Sequence, residues 1–370
     1  MLLTFVTILY FTTIAIVSVM TYKLIGKPNQ NNRNKNIDGL RGILATMVVL
    51  FHFLATYRVE NNMGWTSPDS ILLSNIGPVA VSLFFIISGF LFFDLIYKDS
   101  IDWKGFFVAR IFRVYPLYIV TILIVCIFSF ILGDNTDFSG VFYWLVFLWA
   151  PIFGYNDSYL LNSGVQWTLL YEMSFYAMLP LLWAMKHRKM TIYLLISLCS
   201  AFSLLKMQDI GFINISLFTL FLIGAACNLI IRKLQKYIYH YFFSVIGVLC
   251  LFVAFFFTSP YTYFQSLFLM MFFIAMSGGS GLLNILGNKY FVSLGAVSYS
   301  IYIIHGIVLF SIYRTDFISL KGMVFPYYLL MFPVLMVIVC ALSVVTYKVI
   351  ENPSIKFGVN IINKINNRKK

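Results

Sequence analysis

Charge is what this sequence has least of. Only 11% of its 370 residues are Asp, Glu, Lys or Arg, and just 13 of those are acidic. So few charges cannot cover the surface of a water-soluble domain, which excludes that class. Cysteine is scarce as well. The five (Cys126, Cys199, Cys227, Cys250 and Cys340) all fall inside apolar runs, and none has metal-ligand spacing. They read as soft core residues rather than disulfides or ligands, and no metal site is expected. Internal repeats are missing, and so is the strict apolar–polar alternation of a transmembrane barrel. What is abundant is apolar: 61% of residues are hydrophobic, 19% are aromatic, and the mean hydropathy is +0.89. This is the composition of an all-α, polytopic membrane protein. The net charge of +13 sits in short clusters between apolar runs, as orientation signals do, and does not suggest a nucleic-acid partner.

Taken in order, the apolar runs predict membrane spans at about Leu2–Tyr22, Leu40–Thr56, Ile76–Tyr97, Tyr115–Leu132, Gln166–Met185, Thr191–Leu205, Ile213–Ile231, Phe242–Thr258, Tyr263–Leu283, Leu294–Tyr313 and Pro326–Ile350. That is a core of ten helices preceded by one more. Leu2–Tyr22 lacks a basic flank and a cleavage site, so it reads as a span and not a signal peptide. Lys98–Arg113 reads as a basic connection. Val141–Phe153 is apolar but too short to cross, and is expected to be re-entrant or interfacial. With the N-terminus outside, the inner segments carry 22 of the 26 basic residues and the outer ones only Arg58, Lys206, Arg314 and Lys321. Counting Val141–Phe153 as a full span would erase that bias. The expected topology is therefore N-terminus outside, C-terminus cytoplasmic. In domain terms, residues 1–36 form the extra helix and a cytoplasmic linker, 37–353 the membrane domain, and 354–370 a basic tail.

The stretch Asp38–His52, DGLRGILATMVVLFH, carries ionisable groups into an otherwise apolar helix. Arg41 and His52 are separated by about three helical turns, so they share one face, roughly 16 Å apart along the axis. Gly39, Gly42 and Ala45 allow a neighbour to approach the backbone closely. Arg110 and Arg113 lie on one helix face at the same membrane side as Arg41. Singly, each arginine is best read as a positive-inside marker; together they suit a polyphosphate ligand. Glu172 in QWTLLYEMSFYAMLP and His305 in SYSIYIIH lie inside spans, where an ionisable group is a functional candidate by default. A partner for Glu172 is expected in His52, His305 or a polar ligand. His187 and His240 fall in inner loops and read as solvated. A histidine base in the membrane and cations at the cytoplasmic mouth suit carbonyl chemistry: coenzyme A phosphates on the arginines, and a thioester lifted to His52.

DGLRGILATMVVLFH resembles the opening motif of membrane-bound acyltransferase family 3, the integral membrane O-acyltransferases of the O-antigen acetylase type. The arginine, ten intervening residues and histidine are all present. The likeness continues in order through FFIISGFLF, RIFRVYP, QWTLLYEMSFYAMLP, LGAVSYSIYIIH and YKVIENP, from about Asp38 to Pro353. The resemblance implies an acetyl-CoA donor on the cytoplasmic side, a sugar hydroxyl of a surface or lipid-linked polysaccharide as acceptor, and a place in the bacterial plasma membrane. Motif matching puts the family's essential arginine and histidine on Arg41 and His52 and its arginine pair on Arg110 and Arg113. Glu172 and His305 join His52 as catalytic candidates, and Asp38, Ser88, Gly89 and Trp167 are taken as structural support. Two departures from the family pattern stand out: the Leu2–Tyr22 segment ahead of the motif helix, and the lack of the hydrolase-like outer domain that some members carry. The competing class is a transporter or flippase of a lipid-linked saccharide, although the paired repeats typical of transporters are missing. A glycan polymerase would need a large catalytic outer loop. The long outer segment Gly133–Val165 holds aspartates and aromatics but no basic residue.

Overall fold

The computed structural model describes residues 2–26, 34–184, 214–238, 241–278, 281–314 and 322–367. Fourteen α-helices run through them: α1 (Leu2–Ile25), α2 (Lys35–Glu60), α3 (Ile71–Phe93), α4 (Trp103–Leu132), α5 (Gly140–Leu145), α6 (Gln166–Ala184), α7 (Phe218–Ile238), α8 (Tyr241–Phe256), α9 (Tyr263–Ser277), α10 (Lys289–Ala296), α11 (Ser298–Leu309), α12 (Phe325–Leu329), α13 (Phe332–Thr346) and α14 (Asn352–Asn367). Among the described residues there is no strand, only an isolated bridge between Ile152 and Tyr155. The protein is a polytopic helical membrane protein. Among the described residues, five helices are long and apolar enough to cross a bilayer, or up to seven if each of two bent pairs is one span. The sequence reading of eleven spans is not reached by that measure, and the predicted span Thr191–Leu205 lies outside the described residues, as do His187 and His240.

Two boundaries differ instructively. The Lys98–Arg113 connection is helical from Trp103 onward, so Arg110 and Arg113 sit inside the first turns of a 30-residue helix. Residues Leu294–Tyr313 do not form one straight span: α10 and α11 meet at a bend of 62°. In Val141–Phe153 the only helix is the six-residue α5, too short to cross a bilayer. The far end of this segment returns to the residues just after α4, where the Asn135 amide donates to the Phe153 carbonyl (3.3 Å) and the Phe153 amide to the Asp137 carbonyl (2.8 Å). Trp144 fills the fold, donating from Nε1 to the Ala150 carbonyl at 2.9 Å.

Helix α2 is the centre of the bundle. Of its apolar window 78% is buried, against 28% for α1, which packs on the outside. Small residues bring its neighbours in. A Cβ on Gly39 would collide with the Leu286 carbonyl oxygen, and one on Gly42 would stand 2.7 Å from the Gly295 nitrogen. Gly89 does the same for the crossing of α3 and α7, where its Cα faces the Phe221 carbonyl. At the far end of the chain α14 lies along α4, with Gly358 against the Phe112 ring.

Candidate functional site

Helix α2 starts from Asn34, whose side chain accepts from the Asn36 and Ile37 amides (3.0 and 3.4 Å), with Asp38 in the first turn beside the positive end of the helix dipole. This start fixes the azimuth of Arg41 and, three turns on, of His52. Gly42 meets Gly295, and beyond the bend α11 runs alongside α2 in the same direction. His52 and His305 keep that register, being 253 residues apart like the glycines.

The two imidazoles are hydrogen-bonded, His52 Nδ1 to His305 Nε2 at 2.8 Å, with rings stacked at 5.1 Å between centroids. The other nitrogen of His305, Nδ1, is 3.0 Å from the Ile301 carbonyl. A carbonyl oxygen only accepts, so a neutral His305 carries its proton on Nδ1 and offers a lone pair at Nε2. His52 must then donate from Nδ1, which leaves its Nε2 as a bare lone pair. His305 is completely buried, and Trp65 from the loop between α2 and α3 stacks on the His52 ring at 5.7 Å. That loop is tied down by Arg58, which bonds Thr66 at 2.9 Å and Asp69 at 3.1 Å.

Toward the N-terminal end of α2 lies a cavity of about 310 Å³. Arg41, Arg110, Arg113, Glu172, Tyr176 and Tyr302 are among its walls, drawn from α2, α4, α6 and α11. The Arg110 guanidinium packs over Phe92 (5.0 Å), Phe106 (5.7 Å) and Tyr176 (5.9 Å), and its buried Nε has no hydrogen-bond partner among the described residues. Three guanidinium groups, one of them with an unspent donor, fit a polyphosphate such as that of coenzyme A. Glu172 accepts from the Tyr176 hydroxyl and lines this cavity. Its partner is thus neither histidine.

The sequence candidates therefore fall into two groups. His52 and His305 form a pair, whereas Arg41, Arg110, Arg113 and Glu172 share the cavity with Asp38 and Ser88. Gly89 serves the α3–α7 crossing, and Trp167 is 36% exposed, edge-on to Phe85 and Tyr171. Several residues went unread in the sequence. Tyr299 and Tyr302 reach the cavity from α11, about two turns and one turn before His305 respectively, and that helical spacing was the available signal. Glu351 is only 2% exposed at the end of a π-helical turn, Tyr347–Glu351, and accepts from the Ser300 hydroxyl at 2.7 Å within electrostatic reach of Arg113 and Arg41. A glutamate closing an apolar run in YKVIENP was its signal.

No solved structure matches the chain. It is 30% identical over 178 residues to nodulation protein 10 of Rhizobium leguminosarum bv. viciae, covering 43% of this chain and 47% of that protein. It is 30% identical over 162 residues to acyltransferase MdmB of Streptomyces mycarofaciens, covering 40% of this chain and 39% of the relative. Peptidoglycan O-acetyltransferase OatA of Listeria monocytogenes serovar 1/2a is 28% identical over 160 residues, 39% of this chain and 23% of that one. The matches thus span less than half the length of each of these relatives. A family model described as an acyltransferase domain covers residues 34–348, which takes in the arginine cavity, the histidine pair and most of the bundle, so the chain belongs to the type-three acyltransferase family.

Proposed function

We propose that this protein is a membrane O-acyltransferase that moves an acetyl group from acetyl-CoA to a hydroxyl of a surface or lipid-linked glycan. The observation that carries this reading is the bare Nε2 of His52, held in that state by the hydrogen-bond chain through His305 to Ile301. An imidazole lone pair is the group that removes a hydroxyl proton near neutral pH. Along the same helix face, roughly 16 Å away by helical rise, Arg41 belongs to the cavity that suits the donor's phosphates. That separation is comparable to a phosphopantetheine arm.

In the reaction, His52 Nε2 takes the proton of the acceptor hydroxyl as its oxygen attacks the thioester carbonyl. The carbon–sulfur bond breaks, an ester forms, and the proton returns to the leaving thiolate, giving free coenzyme A. While His52 is an imidazolium, its Nδ1–H donates to His305 Nε2, which spreads the charge and keeps the ring aligned. Trp65, stacked on His52 from the α2–α3 loop, offers an aromatic face for a sugar ring. The name of the Listeria relative, a peptidoglycan O-acetyltransferase, favours a glycan acceptor. The bias of basic residues favours a cytoplasmic donor side, a cytoplasmic C-terminus and an outer acceptor side. Residues 37–353 then form the catalytic unit in a bacterial plasma membrane, with 1–36 and 354–370 flanking it.

The test is transfer of radiolabel from acetyl-CoA into glycan by membranes containing the protein. Label should enter base-labile ester, and His52→Ala should lower incorporation by about 10²–10⁴-fold at equal protein abundance. Incorporation by His52→Ala at the wild-type rate would overturn the assignment of the base.

A further inference from the structure

The donor cavity and the histidine pair are adjacent but not continuous. Tyr302 is on the cavity wall, and neither His305, one turn further along α11, nor His52 is. The rings of Tyr302 and His305 are 6.1 Å apart. On the cavity wall that Tyr302 shares with the His305 side is a hydroxyl pair: Tyr302 Oη lies 2.6 Å from Thr168 Oγ1, and Thr168 donates to the Val165 carbonyl at 3.1 Å. The tyrosine oxygen is also 3.2 Å from that carbonyl. Phe84 packs edge-on against the Tyr302 ring at 6.1 Å, and Tyr302 and Thr168 are both buried, 9% and 7% exposed.

We propose that Tyr302 and Thr168 form an internal barrier that decides which nucleophile receives the acyl group. The inference rests on the acyltransferase reading and adds a specificity device to it. A base able to deprotonate a sugar hydroxyl can also deprotonate water. If thioester and His52 shared one wet space before the acceptor arrived, water would attack the carbonyl, the carbon–sulfur bond would break, and acetate and free coenzyme A would be lost without transfer. The Tyr302–Thr168 contact closes that space. It is a hydrogen bond between neutral groups, weak enough to exchange for another. The pantetheine arm carries two amides, which can take over the bonding of both hydroxyls as the arm passes. The arm, bonded to both hydroxyls, then fills the opening it makes, so the thioester reaches His52 without water following it.

The test uses the purified full-length protein in lipid nanodiscs with acetyl-CoA and no acceptor, and reads free thiol with a chromogenic disulfide. Thr168→Val keeps the shape and removes one hydroxyl; Tyr302→Phe keeps the ring and removes the other. Each should raise acceptor-free thiol release about five- to tenfold, the factor carried by one hydrogen bond of this kind. The ratio of thiol released to acyl transferred in glycan-bearing membranes should rise with it. Adding His52→Ala to either variant should abolish the leak, because the same base activates the water. Calorimetric binding of coenzyme A shows that the variants are folded. Wild-type thiol release in both variants would overturn the barrier, and so would loss of transfer without any leak in variants that still bind coenzyme A. A wild-type protein that neither binds nor consumes acetyl-CoA would instead overturn the acyltransferase reading, and the barrier's role with it.

Discussion

At the scale of single residues, the histidine pair makes a sharper demand than a lone buried base would. His305 does not line the donor cavity; in the proposed mechanism it accepts the hydrogen bond from His52 Nδ1. His305→Ala removes that acceptor and frees the ring to rotate or change tautomer. His305→Gln can still accept through its side-chain oxygen. Glycan acetylation should therefore fall strongly in His305→Ala and be restored in part by His305→Gln, with coenzyme A affinity equal in the two. Equal losses in both variants would mean that His305 is only a packing residue. The arginines make a different demand. Arg110 and Arg113 hold charge at the wall of a cavity that neither His52 nor His305 lines. Alanine at both positions should raise the acetyl-CoA concentration for half-maximal rate more than it lowers the maximal rate. Lysine should rescue only partly, because it loses both the planar fork and the stacking on Phe92, Phe106 and Tyr176. An unchanged donor requirement in the double alanine variant would sink the assignment.

At the scale of elements, alignment of the site depends on how closely α2 and the α10–α11 pair approach. The backbone of Gly42 touches that of Gly295, and a Cβ on Gly295 would strike the Asp38 carbonyl. A larger side chain at either glycine must push the helices apart, and a shift of about 1 Å is enough to break a 2.8 Å hydrogen bond between imidazoles ten residues further on. Gly42→Leu should cost about 1–3 kcal/mol of stability, measured as thermal unfolding in detergent, and should lower turnover beyond what the loss of folded protein explains. Wild-type melting and turnover would show that the close crossing does not align the pair. The bend between α10 and α11 belongs to the same scale. It lets α10 pack under α2 while α11 runs parallel to it, an arrangement that a straight Leu294–Tyr313 span could not achieve.

At the scale of the whole molecule, topology controls which substrate reaches which end of α2. The cluster of basic residues between α1 and α2 predicts a cytoplasmic linker, and with it a cytoplasmic entrance to the arginine cavity. The native cysteines all lie in apolar runs, so a cysteine introduced at Gln30 can be read cleanly with an impermeant reagent. It should resist labelling in intact cells and react after permeabilisation. Labelling in intact cells would reverse the orientation and the proposed direction of transfer.

The sequence by itself determined that this chain is helical and lives in a membrane, because composition and run length leave no other way to satisfy the backbone. It also determined that Arg41 and His52 share a face, since helical periodicity is local, and that Val141–Phe153 is too short to cross. What only the tertiary structure decided is who meets whom. Whether Glu172 faces a histidine or Tyr176, and whether His305 touches His52 or packs in lipid-facing surface, depends on how helices far apart in sequence are rotated and staggered. That is set by glycine contacts such as Gly42–Gly295, which periodicity does not encode. The helical start of α4 before Arg110 was hidden for a related reason: charge and aromatics at a membrane interface look like a loop, while packing against α14 and the neighbouring aromatic rings keeps them helical. The separation of the donor cavity from the histidine pair was hidden too, because it rests on one hydroxyl contact between residues 134 apart in the chain.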